Sequence, residues 1–345
     1  MAIYLFALFT SFVFNFTLII PFINLLYQLK FQRASQITRD AFDKRTLIFD
    51  RFHKKKVGIP VGGGILLILT TLFMFVFFLF LFVVLGKEIT SNYQSIISEV
   101  KILLFTFVSF AFLGLYDDLS KIFLWKDDSF FGLRLRHKLI IESLLALIIS
   151  FWIYRELKVD IINIPFFGVY KISFFYILFS TFIIIAFANA VNITDGLDGL
   201  ATGVLMIALL SFWVISRAIL DTPLLVFIAV WLGGLIAFLY FNIYPARLFL
   251  GDTGALSFGA TLAVIGLLLG KNFSLPIIGG IFVIEIFTSL IQLLSKKFLK
   301  KKAFAVAPFH LWLQLRGWEE PKIVMRAWLI SVMLAVFGLM VAFMK

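Results

Sequence analysis

Apolar runs of roughly 20 residues, the length that crosses a bilayer, follow one another along almost the whole chain. Hydrophobic residues make up 62% of the 345 positions and charged residues only 14%. This composition is typical of polytopic helical membrane proteins and excludes a water-soluble globular core. The predicted fold is all-α: an integral membrane protein with about ten transmembrane helices in a single domain over residues 1–345.

The apolar segments are the predicted spans. The ninth contains Glu285 and Gln292 and is predicted to be tilted, broken or partly interfacial, while the third and fourth are short. The first is too long for a signal peptide, lacks a small-residue cleavage site, and is predicted to be a retained span. The ten segments are 3–29, 60–85, 101–116, 138–154, 172–190, 199–217, 223–244, 254–270, 274–295 and 322–343.

Positive charge falls mainly in alternate loops, which lie on one side of the membrane if all ten segments cross it. The positive-inside rule places these loops in the cytoplasm and both termini outside. The net charge of +12 therefore predicts contact with lipid headgroups rather than with nucleic acid. There is no cysteine, which excludes disulfide and thiolate chemistry. The cytoplasmic set comprises 30–56, 117–138, 192–198, 245–252 and 296–322.

Five aspartates lie in three polar breaks on that same side: Asp117, Asp118, Asp195, Asp198 and Asp252. An ionised side chain inside a bilayer costs about 3 kcal/mol or more, so such groups are kept where they function or face water. They predict a functional site at the cytoplasmic membrane edge. A cation-coupled transporter is an alternative, but its acids are expected near the bilayer midplane.

The break at 189–201 has the most distinctive pattern. Asp195 and Asp198 are three residues apart, which on a helical turn brings their Cβ atoms to about 5–6 Å. Two like charges at this distance require a divalent cation or a lysine nearby. Gly196 and Gly199 are predicted to admit a ligand close to the backbone, with the N-terminus of the next helix facing an anion. An acidic helix cap is the alternative interpretation.

The other two breaks have a similar form. Asp117, Asp118 and Lys121 directly follow an apolar run, and Asp252 stands between Gly251 and Thr253-Gly254 at the start of a span. Taken singly, the first could be a solvated loop with an internal ion pair. The second could be a turn followed by a helix N-cap. Together the three breaks predict one pocket for Mg2+, which usually couples a few carboxylates to substrate phosphates.

Basic and aromatic residues complement these acids. Lys54–Lys56 precede a glycine-rich stretch at 58–64, and a second lysine cluster spans 296–302. Membrane anchoring accounts for most of both clusters, while one lysine of the first is predicted to take part in chemistry. His310 lies in a mixed aromatic and polar loop at 307–318 and is either a packed interfacial residue or a ligand contact.

Taken together, these motifs resemble the polyprenyl-phosphate N-acetylhexosamine-1-phosphate transferases, in the same order and over nearly the whole chain. The pattern Asn189-x-x-Asn192-x-x-Asp195-Gly-Leu-Asp198 is the most specific. The segments beginning at Lys56 and around His310 resemble the branch that uses a UDP-N-acetylmuramoyl-pentapeptide donor. The resemblance implies an enzyme of the bacterial inner membrane that transfers a sugar phosphate from a UDP-sugar to undecaprenyl phosphate and releases UMP.

The resemblance also implies roles for individual residues. Asp252 is expected to bind Mg2+ with Asp195 or Asp198 nearby, and Asp117 to deprotonate or position the lipid phosphate, supported by Asp118 and Lys121. Covalent and direct transfer both stay open. Expected partners are the two substrates, membrane lipid and, as an option, a second copy of the chain. The expected substrate-binding residues are Lys56, Asn189, Asn192, Asn242 and His310.

Two motifs depart from that branch. Where it has three histidines followed by a glutamate, this chain has His310-Leu311-Trp312 and then Gln314, and its Thr-Pro-Thr stretch reads Ile59-Pro60-Val61. These positions concern donor recognition more than the reaction, which depends on the acids. UDP-N-acetylglucosamine or another UDP-amino sugar therefore stays an alternative donor.

Overall fold

The computed structural model describes residues 1–32, 45–123 and 135–344, with only the backbone of residues 53 and 55. The described part is almost entirely helical. A 3₁₀ turn at Lys54–Lys56 follows α2, and a π-helical turn at Ser295–Leu299 follows α11. The helices are α1 Ala2–Gln28, α2 Leu47–His53, α3 Gly63–Val84, α4 Ile96–Phe123, α5 Leu135–Glu156, α6 Phe175–Thr194, α7 Leu200–Ala218, α8 Thr222–Asn242, α9 Gly251–Leu268, α10 Ser274–Ile278, α11 Gly280–Leu294, α12 Phe309–Leu315 and α13 Glu320–Phe343.

Within the described ranges, nine helices are long and apolar enough to cross a membrane: α1, α3 to α9, and α13. Each has at least 18 residues. At 1.5 Å per residue, 18 residues give about 27 Å, close to the thickness of the hydrocarbon layer. The predicted all-α, polytopic class is confirmed.

The predicted ninth span is broken, as its polar residues indicated. Gly279 separates α10 from α11, and α11 alone has only 15 residues. Its two polar side chains are paired with the segment that follows: Glu285 bonds His310, and Gln292 bonds both backbone groups of Phe304 at 2.9 Å. The break and these contacts tie α11 to the 304–310 segment.

The third and fourth spans were predicted too short. Helix α4 begins before and ends after the predicted 101–116, and α5 extends beyond 138–154 at both ends. Hydropathy marks only the apolar part, whereas backbone hydrogen bonding carries a helix on into the polar interface. Asp117 and Asp118 therefore lie inside α4, and their predicted placement in a loop was wrong.

A short antiparallel hairpin joins α5 to α6. Its strands are β1 Ile161–Ile164 and β2 Gly168–Lys171, paired with Ile161 opposite Lys171 and Ile164 opposite Gly168. It connects the C-terminal end of α5 to the N-terminal end of α6, opposite the end that carries the aspartates. It therefore belongs to the side predicted to be outside.

Helices α8 and α9 form the centre of the bundle, where α8 packs on α1, α3 and α7, and α9 packs on α4 and α6.

Glycines allow backbone contact around α9. A Cβ at Gly64 of α3 would overlap the backbone of Gly254, and one at Gly114 of α4 would overlap the carbonyl of Asp252. Small residues at such crossings let membrane helices approach closely. The first turn of α9 is thus fixed directly against α3 and α4.

Candidate active site

Residues of two of the three acidic breaks line one pocket, and Asp117 of the other break lies beside it, where it shares lysines with Asp252. The pocket forms where the C-terminal ends of α6 and α8 meet the N-terminal end of α9. Its wall combines charged, amide and aromatic side chains. The lining includes Phe49, Lys56, Asn192, Asp195, Asp198, Asn242, Phe249 and Asp252.

Two lysines bridge two aspartates beside this pocket. Lys121 Nζ lies 3.0 Å from Asp117 Oδ2 and 2.6 Å from Asp252 Oδ2. Lys138 Nζ, on α5, lies 3.3 and 3.2 Å from the same two oxygens. Each carboxylate is thus neutralised by two cations, which stabilises charge that would be costly to bury alone. The predicted cluster of Asp117, Lys121 and Asp252 is brought together, and Lys138 completes it.

Asp118 faces α9 rather than the pocket. Its carboxylate accepts hydrogen bonds from the backbone N–H groups of Asp252, at 3.1 Å, and Thr253, at 2.9 Å, and from the Thr253 hydroxyl at 2.7 Å. The N-cap residue Leu250 has no capping side chain, so Asp118 caps α9 from a neighbouring helix. The reading of Asp252 as an N-cap was wrong, since it lies within the first turn and is itself held by this cap.

Asp195 and Asp198 do not share a helical turn, and this prediction was wrong. Asp195 is the C-cap of α6, whereas α7 begins only at Leu200, after Gly199. Gly199 has φ +77°, a left-handed conformation that glycine adopts readily. The intervening residues form a turn that reverses the chain, which we call the acidic turn (195–199).

Backbone amides of the acidic turn bond to protein side chains. Asp198 N–H donates to Glu320 Oε1 at 2.6 Å, and Gly199 N–H donates to Asn242 Oδ1 at 3.2 Å. These two amides are therefore not presented to an anion, while the predicted anion site at the other N–H groups of the N-terminus of α7 stays a prediction. Asp198 is itself braced, because its Oδ2 accepts from Ala246 N–H at 2.9 Å.

Lys56 connects the acidic turn to the start of α13. Its Nζ lies 2.7 Å from Asp198 Oδ1 and 2.6 Å from Glu320 Oε1, and it donates to the Gly196 carbonyl at 3.1 Å. Lys56 also lies on the pocket wall, so it can meet a ligand phosphate from there. The lysine predicted for chemistry in the first basic cluster is thus placed at the site.

The three predicted asparagines have different environments. Asn189 donates to Glu142 Oε2 at 2.6 Å and does not line the pocket. Asn192 does line it, and among the residues described its buried Nδ2 has no hydrogen-bond partner, so a ligand acceptor fits there. Asn242 accepts from Gly199 and Thr202 and donates to Leu248, so it mainly braces the pocket wall.

His310 is only 1% exposed and does not line the pocket. Its Nδ1 lies 3.0 Å from Glu285 Oε2, and its backbone N–H donates to Glu285 Oε1 at 3.1 Å. Of the two sequence interpretations, the structure places it as a packed residue beside the acidic turn.

Sequence reasoning missed four charged residues that touch the predicted set: Lys138, Glu142, Glu285 and Glu320. Lys138 and Glu320 stand at the polar starts of spans on the predicted cytoplasmic side. A charge in that position is a weak signal, because anchoring explains most of them. Glu142 and Glu285 lie within apolar segments, where an acid is itself a signal of function or pairing.

The acids present suit a hard cation that is shared with a substrate. In the described ranges, no group of three or more histidines and acids is arranged to hold a metal by itself. Asp195 and Asp252 nevertheless line the same pocket from different elements. Mg2+ typically binds one or two carboxylates and completes its shell with phosphate oxygens and water. The oxygen donors of this pocket therefore fit that ion.

A second, apolar cavity of about 420 Å³ lies between α7, α11, α12 and α13. Leu200, the first residue of α7 after the acidic turn, and Glu285 are on its wall, so the cavity lies next to that turn. Leu329 and Ile330 line its opposite side and are exposed at the surface of the bundle that faces lipid. It is lined almost wholly by hydrocarbon, with Arg326 as the cation.

A helical membrane bundle that gathers aspartates and lysines at one end defines a class of integral membrane proteins acting on anionic groups at the bilayer edge. Residues 100–270 match the family described as Glycosyl transferase family 4. The chain is 37% identical to the phospho-N-acetylmuramoyl-pentapeptide-transferase of Caldanaerobacter subterraneus subsp. tengcongensis, over 81% of this chain and 83% of that protein.

Two further relatives have the same name. The Rickettsia canadensis protein is 35% identical over 83% of this chain and 80% of its own length. The Borreliella afzelii protein is 35% identical over 96% of this chain and 93% of its own. The chain therefore belongs to the phospho-N-acetylmuramoyl-pentapeptide-transferase family, and the resemblance stated from the motifs is confirmed.

Proposed function

We propose that this membrane protein transfers phospho-N-acetylmuramoyl-pentapeptide from its UDP-activated form to undecaprenyl phosphate, forming lipid I of peptidoglycan synthesis and releasing UMP. One observation carries the proposal beyond family membership. Asp117 and Asp252, from two helices, share the cations Lys121 and Lys138 directly beside a polar pocket at the membrane edge. This arrangement suits the meeting of two phosphate-bearing substrates.

The reaction joins two polyanions, so the protein's main contribution is positioning and neutralisation of charge. A new P–O bond forms to the sugar-linked phosphorus, and the P–O bond to UMP breaks, with UMP leaving as an anion. Lys121 and Lys138, which pair with Asp252, are placed to neutralise the negative charge of an incoming phosphate. Asp117, whose partners are the same lysines, would position the acceptor phosphate or take its proton.

Two routes fit this geometry. In one, the acceptor phosphate attacks directly. In the other, an aspartate first accepts the phospho-sugar and passes it to the acceptor. A burst of UMP in the absence of the acceptor would identify the second route, because UMP then leaves before the lipid is needed.

We propose that Mg2+ is bound by Asp252 together with Asp195. Bound there, Mg2+ would neutralise the pyrophosphate of the donor. Lys56, on the same pocket wall, would hold a phosphate, and Asn192 would offer its buried amide to the nucleotide or sugar. Chelation by EDTA should abolish UMP release, and added Mg2+ should restore it.

The apolar cavity supports a lipid acceptor. It adjoins the acidic turn, and its lining offers almost no hydrogen-bonding groups, so an isoprenoid chain fits it better than water. Arg326, on the wall, stacks on the Trp318 ring with 4.5 Å from Cζ to the ring centroid. We place the part of the acceptor chain nearest its phosphate in this cavity.

We propose that the polar pocket faces the cytoplasm, with both termini outside, which requires α10 and α11 to cross the membrane together as a tenth, broken span. The lysine clusters at Lys54–Lys56 and Lys296–Lys302 support this orientation. Because the chain has no cysteine, single replacements such as Lys300→Cys and Phe167→Cys can be labelled without background. An impermeant maleimide should label the second and not the first in intact spheroplasts. The reverse pattern would contradict the orientation.

A donor screen tests the reaction itself. Purified protein with undecaprenyl phosphate and Mg2+ should release UMP from UDP-N-acetylmuramoyl-pentapeptide in preference to UDP-N-acetylglucosamine. Equal use of both donors would contradict the narrower assignment, given the changed residues at 311 and 312. Cation transport in proteoliposomes without UMP release would favour the transporter alternative.

A homodimer stays a prediction. The mass of the detergent-solubilised particle, corrected for bound detergent, distinguishes one copy from two.

A further inference from the structure

Glu285 and His310 form a buried pair in which one carboxylate binds two groups of the same histidine. Glu285 is 3% exposed and His310 is 1% exposed. Glu285 Oε1 accepts the backbone N–H of His310 at 3.1 Å, and Oε2 lies 3.0 Å from the ring Nδ1. Both the position and the rotation of the imidazole are therefore set by Glu285.

The contact suits the tautomer in which His310 Nδ1–H donates to the Glu285 carboxylate. Nε2 then points away from Glu285, and among the described residues it has no hydrogen-bond partner. The neighbour on that side is Gly196, where a Cβ would lie 2.6 Å from Nε2. The edge of the imidazole is thus in direct contact with the glycine backbone.

Gly196 belongs to the acidic turn, between the two aspartates of the pocket. Its carbonyl oxygen accepts from Lys56 Nζ, which in turn pairs with Asp198 and Glu320. The imidazole and Lys56 therefore both contact the turn at Gly196. A shift of the ring would move Asp195 and Asp198 relative to Asp252.

We propose that Glu285 is a positioning residue for the transfer reaction: it holds His310 against Gly196 and so fixes the acidic turn that carries Asp195 and Asp198. This inference rests on the proposed function. It explains why an acid is kept within an apolar helix segment, and why residue 196 must lack a side chain.

The first test is Glu285→Gln, which keeps the size of the side chain but replaces one acceptor with an NH2 donor. We expect kcat to fall about ten- to a hundredfold, as when the group orienting a functional histidine is removed. The KM for the nucleotide sugar should change little, because Glu285 does not line the polar pocket. Thr288→Ala on the same helix, whose hydroxyl bonds only its own helix backbone, is the matched control.

A double-mutant cycle separates positioning through His310 from an independent role. If Glu285 acts through the ring, Glu285→Gln should cost little more in a His310→Asn background. Additive losses would overturn the proposal. A second pair of substitutions tests the contact between Gly196 and His310. Gly196→Ala should lose activity, because its methyl group overlaps the imidazole, and adding His310→Ser to that variant should restore part of the activity by removing the overlap. No recovery would show that His310 has another role.

Hydrogen exchange makes the result independent of catalysis. Amides of residues 195–200 should exchange faster in Glu285→Gln than in wild type, and those of the hairpin at 161–171 should not change. Unchanged exchange in the acidic turn overturns the positioning role, whether or not the wild type releases UMP. Failure of the wild type to release UMP, with faster exchange in the variant, would count against the proposed function alone.

Discussion

Lys138 and Asp252 form an ion pair of 3.2 Å that joins the start of α5 to the first turn of α9. The same ammonium lies 3.3 Å from Asp117, so one lysine connects three helices at the pocket. Its position was not evident from the sequence, although it completes the predicted cluster. The pair is largely buried, with side-chain exposures of 11% and 14%.

Replacing Lys138 with Met should destabilise the protein and weaken substrate binding. The substitution leaves Lys121 as the one remaining cation for both Asp117 and Asp252. Because losing a partner from a buried ion pair costs about 3 kcal/mol or more when nothing else compensates, we expect a cost of up to about 3 kcal/mol here. Thermal unfolding in nanodiscs and the KM for the UDP-sugar measure the two effects. Lys101→Met is the control, because Lys101 pairs with Glu156 at the other end of the bundle, where exposed pairs contribute under about 1 kcal/mol. Equal effects of the two variants would contradict this role.

Asp252→Asn should reduce UMP release by at least about a hundredfold, the loss typical when one charge-stabilising group is removed from an active site. The folded protein should persist, because Asp118 caps α9 through backbone N–H groups that the substitution keeps. Asp160→Asn, in the ion pair with Lys171 beside the hairpin, is the control. Activity retained with Mg2+ would remove Asp252 from the metal site.

Ala327→Trp should fill the apolar cavity and raise the KM for undecaprenyl phosphate without changing the KM for the nucleotide sugar. Ala327 lies on the cavity wall, whereas Met333 on the same helix is 68% exposed on the bundle surface. Met333→Trp is therefore the matched control. If both variants bind the lipid equally well, the acceptor chain does not use this cavity.

Gly114→Ala should impair both stability and turnover, because the added methyl would overlap the Asp252 carbonyl. Overpacking of this kind costs about 1–3 kcal/mol, and here relief requires α4 and α9 to separate. Phe112→Leu, at a lipid-exposed position on the same helix, should leave both unchanged. Thermal unfolding and UMP release measure the two variants. If Gly114→Ala has the stability and turnover of the wild type, the helices adjust to the added methyl group without cost.

Hydropathy and charge alone predicted the helical class and a ninth segment that is tilted, broken or partly interfacial. They also predicted that Asp195, Asp198 and Asp252 meet at one pocket, with Asp117 beside it. These features follow from residue type and order along the chain. Contacts between distant helices do not. Asp118 caps α9 from 134 positions away, so no local pattern shows whether it faces substrate or backbone.

The individual site residues also depend on contacts that the local sequence does not show. Asn189 was grouped with Asn192 by motif, yet Asn189 bonds Glu142 on α5 and Asn192 faces the pocket. The two share a face of α6, but Asn192 lies one turn nearer the C-terminal end of the helix, where the pocket is. Hydropathy also could not show that α4 continues past its last apolar turn, which moved Asp117 and Asp118 from an expected loop into a helix.

The central position of α9 has a consequence for how the protein experiences its bilayer. In the most apolar 18-residue stretch of each helix, 94% of the residues of α9 are buried, against 22% for α1 and 28% each for α5 and α13. When the thickness of the bilayer changes, mismatched helices tilt, and the strain falls first on those in contact with acyl chains. Asp252 itself is thus kept away from acyl chains, whereas its partner Lys138 is on α5, so a change of bilayer thickness would reach the candidate site mainly through this ion pair.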